Sequence, residues 1–212
     1  MKKNGAIWPI IIALLFAGCG AGNTHTYHGA NTDIPAAGTY KVAIATYDQR
    51  YYVVNGDKPA DFVGLRRAKY GIPFDMETAS GNPLAQDFTE TISRSFAAKG
   101  FRATPVIVYS SDTNYKTVKA NLKQTGAHRL ILLILYEWKS DTFRNTSLTY
   151  NVLLEVFDEN GRLIAHKRIS GNDDLGGRFI KSKVYAKNAV HEAFKEKIEL
   201  LLNDKNISKA LE

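Results

Sequence analysis

Asp48, Gln49 and Arg50 stand together just past an alternating apolar segment, and Gly64-Leu65-Arg66-Arg67 follows downstream. An aspartate and an arginine two residues apart can pair across the base of a loop, or can hold the charge of a ligand. Tyr51, Tyr52, Phe62, Tyr70 and Phe74 lie nearby in sequence. Arginine among aromatics is the usual composition of an interface hot spot. Asp48, Arg50, Tyr52, Arg66 and Arg67 are therefore the candidate partner-binding residues. The plainer alternative is an aromatic satellite core closed by a structural ion pair. Other constellations stop short of a mechanism. His191-Glu192 begins the H-E-x-x-H zinc pattern, but Lys195 stands where the second histidine is needed, so no two ligands share one helix face. Residues 171–177 (GNDDLGG) are glycine-rich without the lysine and serine of a phosphate loop, and read as a turn. Asp173-Asp174 lacks the alternating ligands of a calcium loop. There is neither a G-x-S-x-G elbow nor an S-x-x-K motif. His25 and His28, three apart in a polar segment, read as solvated. No catalytic residue, metal ligand or cofactor is assigned.

The elements that must position these residues follow from periodicity. Residues 40–47 (YKVAIATY) alternate and predict a strand. The stretch 48–81 has no sustained period, with at most a short strand at 51–54. A segment this long and irregular inside a domain is often functional. Asn82 as N-cap, Pro83 at the first position and Gly100 beyond the end bracket a helix, with Leu84, Phe88, Ile92 and Phe96 as its apolar stripe. A strand follows over 101–109. A second helix runs over 113–125, with Tyr115, Val118 and Leu122 inward. The run Leu130-Ile131-Leu132-Leu133-Ile134-Leu135 suits a central strand covered on both faces. Residues 146–158 alternate, Asp158-Glu159-Asn160-Gly161 makes a hairpin turn, and 162–170 returns. A last helix spans 181–202, with Val190, Ala193, Phe194, Ile198 and Leu201 on its core face. The fold class is α+β (mixed α/β): a single domain over 39–212, with a mixed sheet of four to six strands and three main helices on one face.

The N-terminus has a different character. Lys2 and Lys3 precede an apolar run over 6–16, about half the length of a membrane-spanning helix. Small residues follow, the layout of a secretory signal peptide over 1–18. Leu15-Phe16-Ala17-Gly18-Cys19 resembles the lipobox of bacterial lipoproteins, with Phe16 where leucine is usual. The resemblance implies cleavage before Cys19 and a diacylglycerol thioether on its sulfur. It also implies an acylated amino group. Each buried methylene contributes about 0.8 kcal/mol, so two or three chains anchor stably where one does not. Gly20 replaces the aspartate that retains lipoproteins in the inner membrane. That implies the inner leaflet of the outer membrane, with the domain facing the periplasm. Residues 20–38 (GAGNTHTYHGANTDIPAAG) show no apolar periodicity, and 19–38 reads as a flexible tether with roughly 25 Å of typical reach. The domain itself resembles YajG-type envelope lipoproteins over about 40–205. More distantly it resembles the α/β domain of TolB N-terminal and curli-secretion proteins. That likeness implies a non-enzymatic role and supplies no functional residues.

Composition narrows the classes further. The chain has 212 residues, 44% hydrophobic and 23% charged, which excludes wholesale disorder and a polytopic membrane protein. One cysteine excludes an internal disulfide and a multi-cysteine zinc site. The formal charge of +7 includes Lys2 and Lys3; without them 26 basic residues face 21 acidic ones, a net +5. In an envelope location this excess meets anionic headgroups rather than nucleic acid. The expected function is a lipid-anchored envelope adaptor, not an enzyme, that binds a protein partner through 48–81. The alternatives are a binding module for a lipid or glycan, and a hydrolase without a recognisable motif.

Overall fold

The strand β6 (Arg129–Thr142) is the spine of the sheet, and its length sets the topology. In chain order the elements are β1 (Thr24–His25), β2 (Lys41–Asp48), α1 (Tyr51–Val54), β3 (Phe62–Arg67), β4 (Pro73–Thr78), α2 (Leu84–Ala98), β5 (Arg102–Pro105), α3 (Tyr115–Gln124), β6, β7 (Thr146–Asp158), β8 (Leu163–Gly176), α4 (Ser182–Leu202) and α5 (Lys205–Ala210). They come from a computed structural model that describes residues 23–34, 36–109, 114–177 and 182–212. The signal segment 1–18 and Cys19 lie outside the described residues. One edge of β6 carries the antiparallel meander β7–β8. The other edge is too long for one neighbour. β2 pairs with it in parallel from Arg129 to Leu135, and β3 takes over in parallel from Ser140 to Thr142. β5 extends the sheet beyond β2, and β4 then β1 extend it beyond β3.

Leu130 to Leu135 are all buried, as the unbroken apolar run requires of a strand covered on both faces. α2, α4 and α5 cover one face. Phe88, Phe96, Phe194, Ile198 and Ile207 pack there against Ile44, Ile131 and Leu133. α3 covers the other face, with Val118 and Leu122 against Ala43, Ala45 and Leu132. The helices thus lie on two faces rather than one. The apolar stripes of α2 and α4 and the inward set of β7 are buried where periodicity placed them. Tyr115 is not inward: it is 36% exposed, and its hydroxyl donates to Glu155.

Four expectations are corrected by packing. The expected tether is structured from Asn23: Tyr27, Ala30, Ile34 and Ala36 are buried in the main core. Side chains of α2 and α4 satisfy this segment's backbone. Thr91 donates to the Tyr27 carbonyl, Ser95 accepts from the Thr32 amide, and His191 meets the Thr26 carbonyl. The 51–54 segment is a helical turn, not a strand. Residues 171–176 continue β8 instead of turning, because all but Leu175, which sits at a bulge, pair with β7. Among the described residues the sheet has eight strands, since β1, β3 and β4 arise in segments without visible periodicity.

Candidate functional site

The end-to-end meeting of β2 and β3 along β6 leaves carbonyls without a ladder partner, and Arg50 fills that gap. Its side chain is fully buried. Nε donates to Asp48 Oδ1 at 2.9 Å and Nη2 donates to Asp48 Oδ2 at 2.6 Å. The remaining N–H groups reach the carbonyls of Phe62 on β3, Ala60 before it and Trp138 on β6. All five guanidinium N–H groups are therefore spent inside the protein. Burial opposes the charge. Asp48's hydrogen bonds and negative charge more than offset that, and hold the Arg50 pKa above its ordinary value. Of the two readings open for this pair, the geometry shows the loop-base ion pair. Asp48 and Arg50 can touch a partner only through the loop they hold.

The other sequence-predicted residues divide. Tyr52 stands on α1, half-buried, its ring edge-on to Phe62 with centroids 5.4 Å apart. Its hydroxyl donates to Glu137 at 2.7 Å, and burial pushes its pKa up. Tyr51 and Val54 on the same turn point out, 73% and 59% exposed. Arg67 is bound bidentate to Asp141. Arg66 Nε donates to the Asn23 side chain at 2.8 Å, and its guanidinium lies 5.6 Å from the Phe74 ring. The structure thus groups Asp48, Arg50 and Tyr52 at the strand junction. Arg66 and Arg67 lie further along β3, toward the β3–β4 tip.

Several polar clusters were invisible in sequence. His25 Nε2 lies 3.0 Å from Ser140 Oγ, and Ser140 donates to the Val63 carbonyl, with both side chains fully buried. Burial first, then the Lys187 charge, lowers the His25 pKa to about 4, so its ring is neutral. With its hydroxyl proton directed at Val63, Ser140 accepts from His25 Nε2–H. This histidine–serine pair has no exposed surface for a substrate and serves packing. His28 sits 2.8 Å from the buried Asp87 carboxylate, which Ser80 also holds. Both histidines of the expected solvated segment are thus placed by partners far away in sequence. Lys197 is buried and joins Asp173 of β8 at 2.6 Å. Among the described residues no group of three metal-ligating side chains gathers.

Rings fill the centre of the main core. Phe88 and Phe194 have centroids 4.5 Å apart, Phe88 and Trp138 5.1 Å, and the Trp138 indole donates to the Tyr27 hydroxyl at 3.0 Å. Such pairs add about 0.5–1.5 kcal/mol each beyond area burial. Two grooves open at the surface. One of about 450 Å³ lies along α4 beside Leu175, and one of about 580 Å³ lies between β8 and α5 near His166 and Lys209.

No protein-family model matches the sequence, and no curated protein matches the chain. Solved structures do resemble the fold. A Xanthomonas campestris protein of family DUF330 is 10% identical, with 88% of this chain and 96% of that one covered and a TM-score of 0.51. The PelC dodecamer of Paraburkholderia phytofirmans is 11% identical, covering 82% and 94%, with a TM-score of 0.41. The lipoprotein GNA1162 of Neisseria meningitidis is 9% identical, covering 74% and 99%, with a TM-score of 0.30. The first likeness establishes a shared fold and nothing about activity; the other two are too distant in shape to bear on either.

Proposed function

We propose that the chain is a lipid-anchored envelope protein of non-enzymatic role that binds a protein partner. Cys19 carries the lipid, and the domain faces the periplasm from the inner leaflet of the outer membrane. The observation that carries the partner reading is α1. This turn buries none of its own residues, yet the Arg50 clamp and the Tyr52–Glu137 bond fix its base rigidly. A rigid support beneath Tyr51 and Val54 lowers the ordering cost of an interface anchor. Photocrosslinking from position 51 in cells should trap one discrete adduct; a diffuse background would remove the partner assignment. Labelled palmitate should enter the wild-type chain and not Cys19→Ser. Both grooves are open to solvent, which does not favour the small-ligand alternative. Asp48 spends its oxygens on Arg50, which does not favour the hydrolase.

A further inference from the structure

We propose that the end of the sheet carrying the β3–β4 tip rests on an anionic bilayer surface, with Tyr70, Ile72 and Phe74 at headgroup depth and Lys69 among the phosphates. The orientation rests on the lipid attachment at Cys19; the surface itself stands on its own chemistry.

The place where the chain enters the fold is the first observation. β1 runs parallel to β4, so its N-terminal end points toward the tip, although Thr24 itself pairs with Glu77 near the far end of β4. Asn23, one step before Thr24, is fixed roughly 10 Å back from the first tip residues. Its carbonyl accepts from the Glu77 amide at 2.9 Å and its side chain accepts from Arg66. Three residues separate Asn23 from Cys19, four chain steps that span at most about 14 Å. A bilayer holding lipid on Cys19 therefore lies within that distance of Asn23, which is enough to bring it level with the tip when the chain continues in the direction of β1.

The tip has the composition such a surface asks for. Residues 66–74 (RRAKYGIPF) contain three basic residues and no acidic one. Tyr70 is 86% exposed, Ile72 55% and Phe74 43%. Tyr70 has φ +66°, a left-handed conformation that residues other than glycine rarely adopt. The Ala68–Ile72 and Gly71–Ala68 backbone bonds hold it there. The adjacent β6–β7 turn brings exposed Phe143 level with the tip, because Arg66 is in register with Thr142. Several acidic groups near this end are engaged: Asp75 with Lys58, Asp141 with Arg67, and Asp174 with Asn145 and the Gly176 amide. Aromatic and aliphatic side chains beside the positive charge of Lys69 fit an anionic interface.

The test uses the full chain with Cys19→Ser, which cannot be lipidated and in which one new cysteine is the only thiol. An environment-sensitive dye at Ile72→Cys is compared with one at Asn160→Cys, in the β7–β8 turn at the opposite end. Vesicles are phosphatidylcholine with or without phosphatidylglycerol. The expected result is a blue shift at 72 but not at 160, dependent on phosphatidylglycerol and reversed by salt. Lys69→Ala should weaken the apparent partitioning about fivefold. No shift at 72, an equal shift at 160, or indifference to phosphatidylglycerol would overturn the proposal. A photocrosslinker at position 70 of the lipidated chain should capture lipid; a discrete protein adduct would assign the tip to a partner instead. Loss of palmitate labelling with a persistent shift at 72 would sink the anchor and spare the surface.

Discussion

Lowering the pH from 7 to 5 should destabilise the fold by about 2 kcal/mol through His25 alone. The ring has an unfolded pKa of 6.5 and a folded one of about 4, set first by burial and then by the Lys187 charge. Between those values the unfolded chain binds a proton that the folded chain refuses. Stability is therefore fully present above about pH 6.5 and falls as the pH falls toward 4. At pH 5 most of the unfolded rings and few of the folded ones are charged, which gives the figure above. The full loss, about 3 kcal/mol, is reached below pH 4. Asp158 and Asp204, held low by hydrogen bonds, lose their contributions only in the acid range below the usual carboxylate value. Asp87, raised by burial, acts with the opposite sign. Urea unfolding at pH 7, 6 and 5 reads the slope directly. His25→Gln should lower stability at pH 7, because the Ser140 bond changes, yet flatten the slope between pH 7 and 5. A wild-type midpoint that does not move, or an unchanged slope in His25→Gln, would refute the reasoning.

Three further outcomes follow from packing. Arg50→Met leaves the Asp48 carboxylate buried without its cation and should cost about 3–5 kcal/mol in urea unfolding, with part regained in the Asp48→Asn/Arg50→Met double variant. Gly64→Ala would place a methyl 2.2 Å from Ser140 Oγ and 2.3 Å from its backbone oxygen, and should cost about 1–3 kcal/mol by the same measurement. Tyr27→Ala should cost about 3–5 kcal/mol and expose the 23–38 segment to limited proteolysis, which the wild-type chain should resist.

The parts of the fold legible in sequence are those whose partners lie on the same element or face. Leu84, Phe88, Ile92 and Phe96 mark their helix by spacing alone, as Leu148 to Val156 mark their strand, and both sets are buried. Residues 23–38 carry no such mark because their stabilising contacts are remote. Tyr27 packs on Phe88 and Phe194, and the carbonyls are met by Thr91 and His191. Composition reads a polar segment as unstructured when the satisfying groups sit on other helices. Residues 171–176 misled for the opposite reason: local turn chemistry yields to a ladder with β7 that runs on past a bulge at Leu175. Asp48 and Arg50 were legible as a pair, with a structural ion pair among the open readings, but its full burial was not. Their burial depends on β2 and β3 meeting end to end along β6, which no local pattern reports.

The ordering of 23–34 and 36–38 changes what the proposed anchor at Cys19 could do. A free tether of nineteen residues would reach roughly 25 Å and leave the domain free to tumble above a bilayer. The four chain steps from Cys19 to Asn23 would reach at most about 14 Å and hold the domain close to it. The strands then set the height of the partner surface. Tyr52 contacts β6 at Glu137 and Trp138, and β6 runs on to Thr142 at about 3.3 Å per residue before the tip begins. Tyr51 and Val54 thus stand roughly 15 Å back from the turns proposed to meet the lipid. A partner on α1 and a bilayer at the tip would occupy different stretches of the same 48–81 segment and would not compete. The Arg50 clamp keeps them apart, since it ties the base of α1 to the start of β3. Releasing the clamp with Arg50→Met should therefore impair capture from position 51 more than vesicle binding at position 72. Equal loss of both would show that the two surfaces act as one.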